Sequence, residues 1–152
     1  MRDGCPGGVG SATAIFAFHS ACSVSYDVQV PAGQKLVVMV EAGDIELRDL
    51  SGDVTADGAS GDIDASGMRT TKLRMATRSG DVTGSFATAP ALLTAGARSG
   101  DVSLHVPAGG YRLRVTTNSG DRSVDGITDD PASEHRIVAA TSSGDVSIGR
   151  SN

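Results

Sequence analysis

An all-β, single-stranded parallel β-solenoid, with coils of about 20 residues and two short strands per coil, is the fold this chain predicts. Three observations carry it: a recurring Ser-Gly-Asp tripeptide, short apolar runs of period two behind it, and a composition poor in aromatic residues. The tripeptide stands at 51–53, 60–62, 79–81, 99–101, 119–121 and 143–145, and Ala-Gly-Asp stands at 42–44. From Asp44 onward the aspartates are 9, 9, 19, 20, 20 and 24 residues apart, so the natural unit is about 19 or 20 residues, sometimes marked at its midpoint. Self-similarity at such a period is the mark of stacked coils, none of which buries its own apolar face alone.

The strands follow in order. Ile45 and Leu47 alternate with Glu46, Val54 and Ala56 flank Thr55, and Ile63 and Ala65 flank Asp64. Leu73 and Met75 flank Arg74, then Val82, Gly84 and Phe86 alternate with Thr83 and Ser85. Val102, Leu104 and Val106 repeat the pattern, as do Tyr111, Leu113 and Val115, and finally Val146 and Ile148. Period two is the pattern of a strand with one face buried. At each corner glycine supplies positive φ or a close backbone approach, and the aspartate carboxylate can accept a backbone N–H a residue or two onward and so fix its own turn. The expected turn residues are therefore Gly43, Asp44, Gly52, Asp53, Gly61, Asp62, Gly80, Asp81, Gly100, Asp101, Gly120, Asp121, Gly144 and Asp145. Asp53 is expected on the corner opposite to the other aspartates. A β-sandwich is the alternative, but Gly-Asp suits a two-residue hairpin less well than Asp-Gly does.

Two regions depart from the repeat. Residues 1–21 are expected to be an irregular N-terminal segment, ahead of a solenoid domain at 22–149. The interval from Asp121 to Asp145 is four residues longer than its neighbours, and 125–136 reads as a protruding acidic loop. Val9 to Ala21 is too short and polar to span a bilayer and makes a poor export signal. The cytoplasm is therefore the favoured compartment, with the cell envelope as the alternative. Cys5 and Cys22 could close one bridge or stay unpaired.

Composition narrows the function. The formal charge of −5 argues against a nucleic-acid partner, and the absence of any long apolar stretch argues against a membrane span. No nucleophile elbow, phosphate loop or zinc-type histidine spacing occurs, so no catalytic residue and no cofactor are expected. His19, His105 and His135 are scattered, and His105 should point outward. The stacked aspartates Asp62, Asp81, Asp101 and Asp121 are weak candidates for divalent-cation binding through hard oxygen ligands. Closing their own turns is the plainer role. Arg78 and Arg98 should stack 20 residues apart beside that ladder, and Arg74 and Arg112 should share one sheet face. They suit either surface ion pairs or a small anionic-ligand patch.

The Val28-Gln29-Val30-Pro31-Ala32-Gly33 segment and the corners at 43–45, 52–54, 61–63, 80–82, 100–102 and 144–146 resemble a bacterial adhesin-like family of unknown function with Ser-Gly-Asp-Val/Ile β-strand repeats. Arg122 departs from the pattern, because an aliphatic residue is expected after Asp121. The resemblance implies a regular parallel solenoid without enzymatic activity. The expected function is a non-enzymatic structural or interaction module with an unidentified protein or polymer partner, and with self-association through the solenoid ends. The alternative is a surface-associated adhesin or a glycan- or polymer-binding protein.

Overall fold

The computed structural model describes residues 13–18, 26–28 and 35–151. Cys5, Cys22, His19 and the 29–33 turn lie outside them. The described chain is a stack of seven rungs, each with one strand in each of two facing parallel sheets. The first rung pairs β1 (Thr13–Phe18) with β2 (Tyr26–Val28), and the second pairs β3 (Lys35–Ala42) with β4 (Ile45–Arg48). The third runs from β5 (Ser51–Ser60) into the first half of β6 (Ile63–Ser79). The second half of β6 opens the fourth rung, which β7 (Val82–Phe86) completes, and the fifth is β8 (Leu92–Ser99) with β9 (Val102–Val106). All pairings are parallel, so every rung lies above the last in nearly the same register. Sheet A contains β1, β3, β5, the second half of β6 and β8. Sheet B contains β2, β4, the first half of β6, β7 and β9.

The next strands break the order. β10 (Gly110–Ser119) and β11 (Arg122–Val124) do not stack on the fifth rung. The place next to it is taken by β13 (Arg136–Ser143) and β14 (Val146–Arg150), which lie between β8 and β10 and between β9 and β11. The C-terminal coil is therefore the sixth rung, and residues 110–124 are the seventh. The apolar columns explain why. Ile45, Ile63, Val82, Val102 and Val146 stack on the inner side of sheet B, and the next position is Arg122. Sequential stacking would bury that guanidinium between Val102 and Val146, at a cost of several kcal/mol for an unpaired buried charge. At the end of the stack Arg122 is exposed, and its Nη1 donates to the Val115 carbonyl at 3.3 Å, closing the open column.

Two sequence expectations change here. Residues 1–21 are not wholly irregular, because Thr13–Phe18 is a strand in register with β3. Residues 125–136 do not simply protrude. The short strand β12 (Thr128–Asp129) pairs with the outer edge of β10, and Asp129 Oδ1 accepts the Leu113 N–H at 3.1 Å. The chain then turns back, tied by Ser133 Oγ donating to Gly110 O at 2.8 Å, and enters the sixth rung with His135 Nδ1 2.9 Å from Pro90 O. The long interval is what lets the chain step back one rung. His135 is accordingly half-buried, while His105 is exposed.

The core lies between the sheets as one continuous apolar column. Leu36, Ala56, Leu104, Ile137 and Ile148 are fully buried. Leu113 and Val115 are only half-buried because they belong to the last rung. Gly84 occupies an inward position on β7, opposite Ala65 and Leu104. A Cβ there would meet Met75 Cε at 3.0 Å and Leu104 Cδ2 at 3.1 Å, so the glycine makes room for both.

Candidate functional site

The corner between the sheets places Asp44, Asp62, Asp81, Asp101, Asp145 and Asp121 in one ladder, in that spatial order. Each carboxylate accepts the backbone N–H of the next aspartate: Asp62 N donates to Asp44 Oδ1 at 2.9 Å, Asp81 N to Asp62 and Asp101 N to Asp81 at 2.9 Å, Asp145 N to Asp101 and Asp121 N to Asp145 at 2.8 Å. Two backbone bonds flank each of these links, for example Gly80 N to Ser99 O at 3.1 Å and Val82 N to Asp101 O at 2.9 Å. One oxygen of every ladder carboxylate except the terminal Asp121 is thus committed to the N–H of the adjacent rung, not to an N–H a residue or two onward in its own turn as the sequence suggests.

The glycines make this approach possible. Gly43, Gly61, Gly80, Gly100, Gly120 and Gly144 have φ between 122° and 146°. A Cβ at Gly100 would lie 2.6 Å from the Gly80 carbonyl carbon and closer still to its oxygen. Gly52 (φ 95°) and Asp53 stand apart at the start of β5, on the opposite corner and outside the ladder. Sequence reasoning missed a further member of the corner. Thr77, Thr117 and Thr141 donate their hydroxyls to the carbonyls of Gly61, Gly144 and Gly100 at 3.2, 3.0 and 3.0 Å. The signal was present, since each threonine stands two residues before Ser-Gly-Asp, and Ala97 fills that place in the fifth rung.

A family model described as Toastrack DUF4097 matches residues 20–149. The chain belongs to the toastrack family. No curated protein and no solved structure matches it. It is a β-solenoid module of structural or interaction type.

The toastrack corners offer no set of converging ligands. Among the described residues there is no group of three or more His, Cys, Asp or Glu placed to hold a metal ion. Asp62, Asp81, Asp101 and Asp121 belong to a single file, with Asp145 between the last two. No described helix is long and apolar enough to cross a membrane.

The outer faces of the toastrack differ sharply in charge. On sheet A, across the fourth to seventh rungs, the first outward column reads Lys72, Leu92, Arg136, Arg112. The second reads Arg74, Thr94, Val138, Arg114, the third is small, and the fourth begins with Arg78 beside Arg98. These seven cations are exposed, and no carboxylate stands among the outward positions of these strands. The chain has only 13 Lys and Arg in all. Over the same rungs sheet B presents Thr83, Ser103, Ser147 and Ser123 in one uncharged column. Arg74 and Arg112 thus share the sheet A face, in neighbouring columns, and Arg78 and Arg98 are direct neighbours. At the second and third rungs the cationic surface gives way to acid: Asp53 stands beside Lys72 in the first column, and Glu41 and Asp57 line, with Arg78 and Arg98, a shallow cavity of about 440 Å³.

Proposed function

We propose that this toastrack domain is a rigid, non-catalytic interaction module and that the outer face of sheet A is the surface it presents. The observation behind this reading is the segregation of charge. A chain of net charge −5 gathers seven cations on one flat face and keeps its repeated acid at the corner. A cationic field of one sign over a rigid sheet steers and orients an anionic partner without any movement of the backbone.

Self-association through the solenoid ends is the second mode; at the seventh-rung end Arg122 and the short strand β12 occupy part of the edge that such stacking would use. An adhesive role at a cell surface would use the same sheet A face.

Arginine footprinting with phenylglyoxal tests the reading. The expected result is that Arg74, Arg98 and Arg114 are modified in the purified domain and protected in the native host, while exposed Arg48 and Arg150 react equally in both. Equal modification of all of them in the host would remove sheet A as the working surface. Protease treatment of intact cells, with a reagent that does not cross the membrane, reads separately whether the module is displayed outside.

A further inference from the structure

We infer that sheet A binds a linear, base-free polyphosphate or phosphodiester chain, laid across the fourth to seventh rungs parallel to the stacking axis. This rests on sheet A being the working surface and adds the chemistry of the partner. Register gives the geometry. Arg74 and Arg78 are four residues apart on one strand, about 13 Å at the usual rise. Arg114 lies three rungs beyond Arg74, about 14 Å along the axis. Two cationic borders therefore flank the face: Arg74 and Arg114 mark the two ends of one column, and Arg78 with Arg98 line the other at the fourth and fifth rungs. Between them the floor is Ala76, Gly96, Ala140 and Thr116, which put no bulk in the way.

Residue chemistry selects the ligand. Six of the seven cations are arginines, whose planar forks match phosphate oxygens in pairs. Arg112 spends Nε and Nη2 on the Pro131 carbonyl at 3.0 and 2.6 Å, which leaves its charge without a counter-ion. No ion pair within 4.0 Å joins the face arginines to a described carboxylate. The outward positions of these four strands hold no aromatic residue, and Phe86 and Tyr111 of the same rungs are buried. Platforms for single-stranded nucleic acid need such rings for stacking bases. What remains is recognition of a repeated negative charge along a thin chain, with Asp53, Asp57 and Glu41 limiting the site at one end and Asp129 at the other.

Fluorescence anisotropy with labelled inorganic polyphosphate tests this on the full chain. Binding is expected, with affinity falling about 300-fold between 50 and 200 mM salt if about six charges are neutralised. Arg74→Glu/Arg114→Glu and Arg78→Glu/Arg98→Glu should each weaken binding at least about tenfold and flatten the salt dependence. Both pairs are exposed, so melting temperatures should stay near that of the parent, and Arg150→Glu should bind as the parent does. Equal affinity for poly-glutamate or for single-stranded DNA would overturn the ligand class, and so would binding that survives both double substitutions. If the footprint shows sheet A protected in the host while purified protein ignores polyphosphate, the face stands as the working surface and the polyphosphate assignment falls.

Discussion

Gly100→Ala is the sharpest test of how the corners hold the stack. The φ of 145° at Gly100 is open to glycine and costs an L-residue about 1–3 kcal/mol. The new methyl would overlap the Gly80 carbonyl and sit 3.0 Å from Asp81 Oδ1. Relief requires the fourth and fifth rungs to part at the corner. That breaks three bonds between them, Gly80 N to Ser99 O, Val82 N to Asp101 O and Asp101 N to Asp81 Oδ1. At about 1 kcal/mol each, the whole loss is about 5 kcal/mol. For a domain of this size that lowers the melting temperature by about 10–20 °C. Gly96→Ala is the control, since its Cβ would meet only the Ala140 carbonyl oxygen at 3.5 Å and it lies in ordinary strand conformation. Its effect should be within about 1 kcal/mol of zero. Thermal and urea unfolding followed by circular dichroism give the two numbers, and amide exchange at Gly80, Val82 and Asp101 shows whether the damage is at the corner. A Gly100→Ala protein that loses less than about 1 kcal/mol, or exchanges no faster at those amides, would refute the steric account.

Three further outcomes are expected. Arg122→Val should leave unfolding free energy within about 1 kcal/mol of the parent but expose a continuous apolar end, so sedimentation velocity should show larger species as concentration rises; an unchanged sedimentation profile would mean that Arg122 does not guard that end. Tyr111 is buried with its hydroxyl donating to Pro107 O at 2.7 Å, and desolvation raises its pKa above the ordinary phenol value. The unfolded chain thus loses this proton first: the contribution to stability is complete below about pH 10 and is lost as pH climbs past it, a decline that Tyr111→Phe should remove in unfolding curves taken from pH 9 to 11.5. Because one oxygen of every ladder carboxylate except the terminal Asp121 already holds the next rung, millimolar calcium should leave the melting temperature within about 1 °C, whereas a saturable rise would show that the remaining oxygens do coordinate.

The strands were legible in the sequence because two signals coincide in each coil. The corner tripeptide fixes the phase, and the period-two run behind it fixes which residues turn inward. The order of the last two rungs was not legible from those signals. Ser99, Ser143 and Ser119 lie in one column, so either coil satisfies the fifth rung's hydrogen bonds equally well. The distinguishing residue was Arg122, visible as a departure from the aliphatic pattern but without meaning until the column it enters was known. The same ambiguity hid the role of 125–136, whose acidic composition suits a free loop and also a strand that crosses the end of a stack.

Charge segregation follows from the same architecture. In a parallel stack with one register, a residue type repeated once per coil must lie against its own kind. Acid repeated at the corner would repel itself at about 5 Å spacing, unless a backbone donor sits between neighbours. The ladder supplies that donor at every step from Asp44 to Asp121, so the acid can serve the fold. The arginines of sheet A have no such compensation. Arg78 and Arg98 lie side by side, as do Arg136 and Arg112, with no described carboxylate within 4.0 Å to offset the repulsion. The acid ladder is accounted for by the hydrogen bonds it makes, while the basic face costs the isolated fold some stability and gains a purpose only when something anionic lies on it.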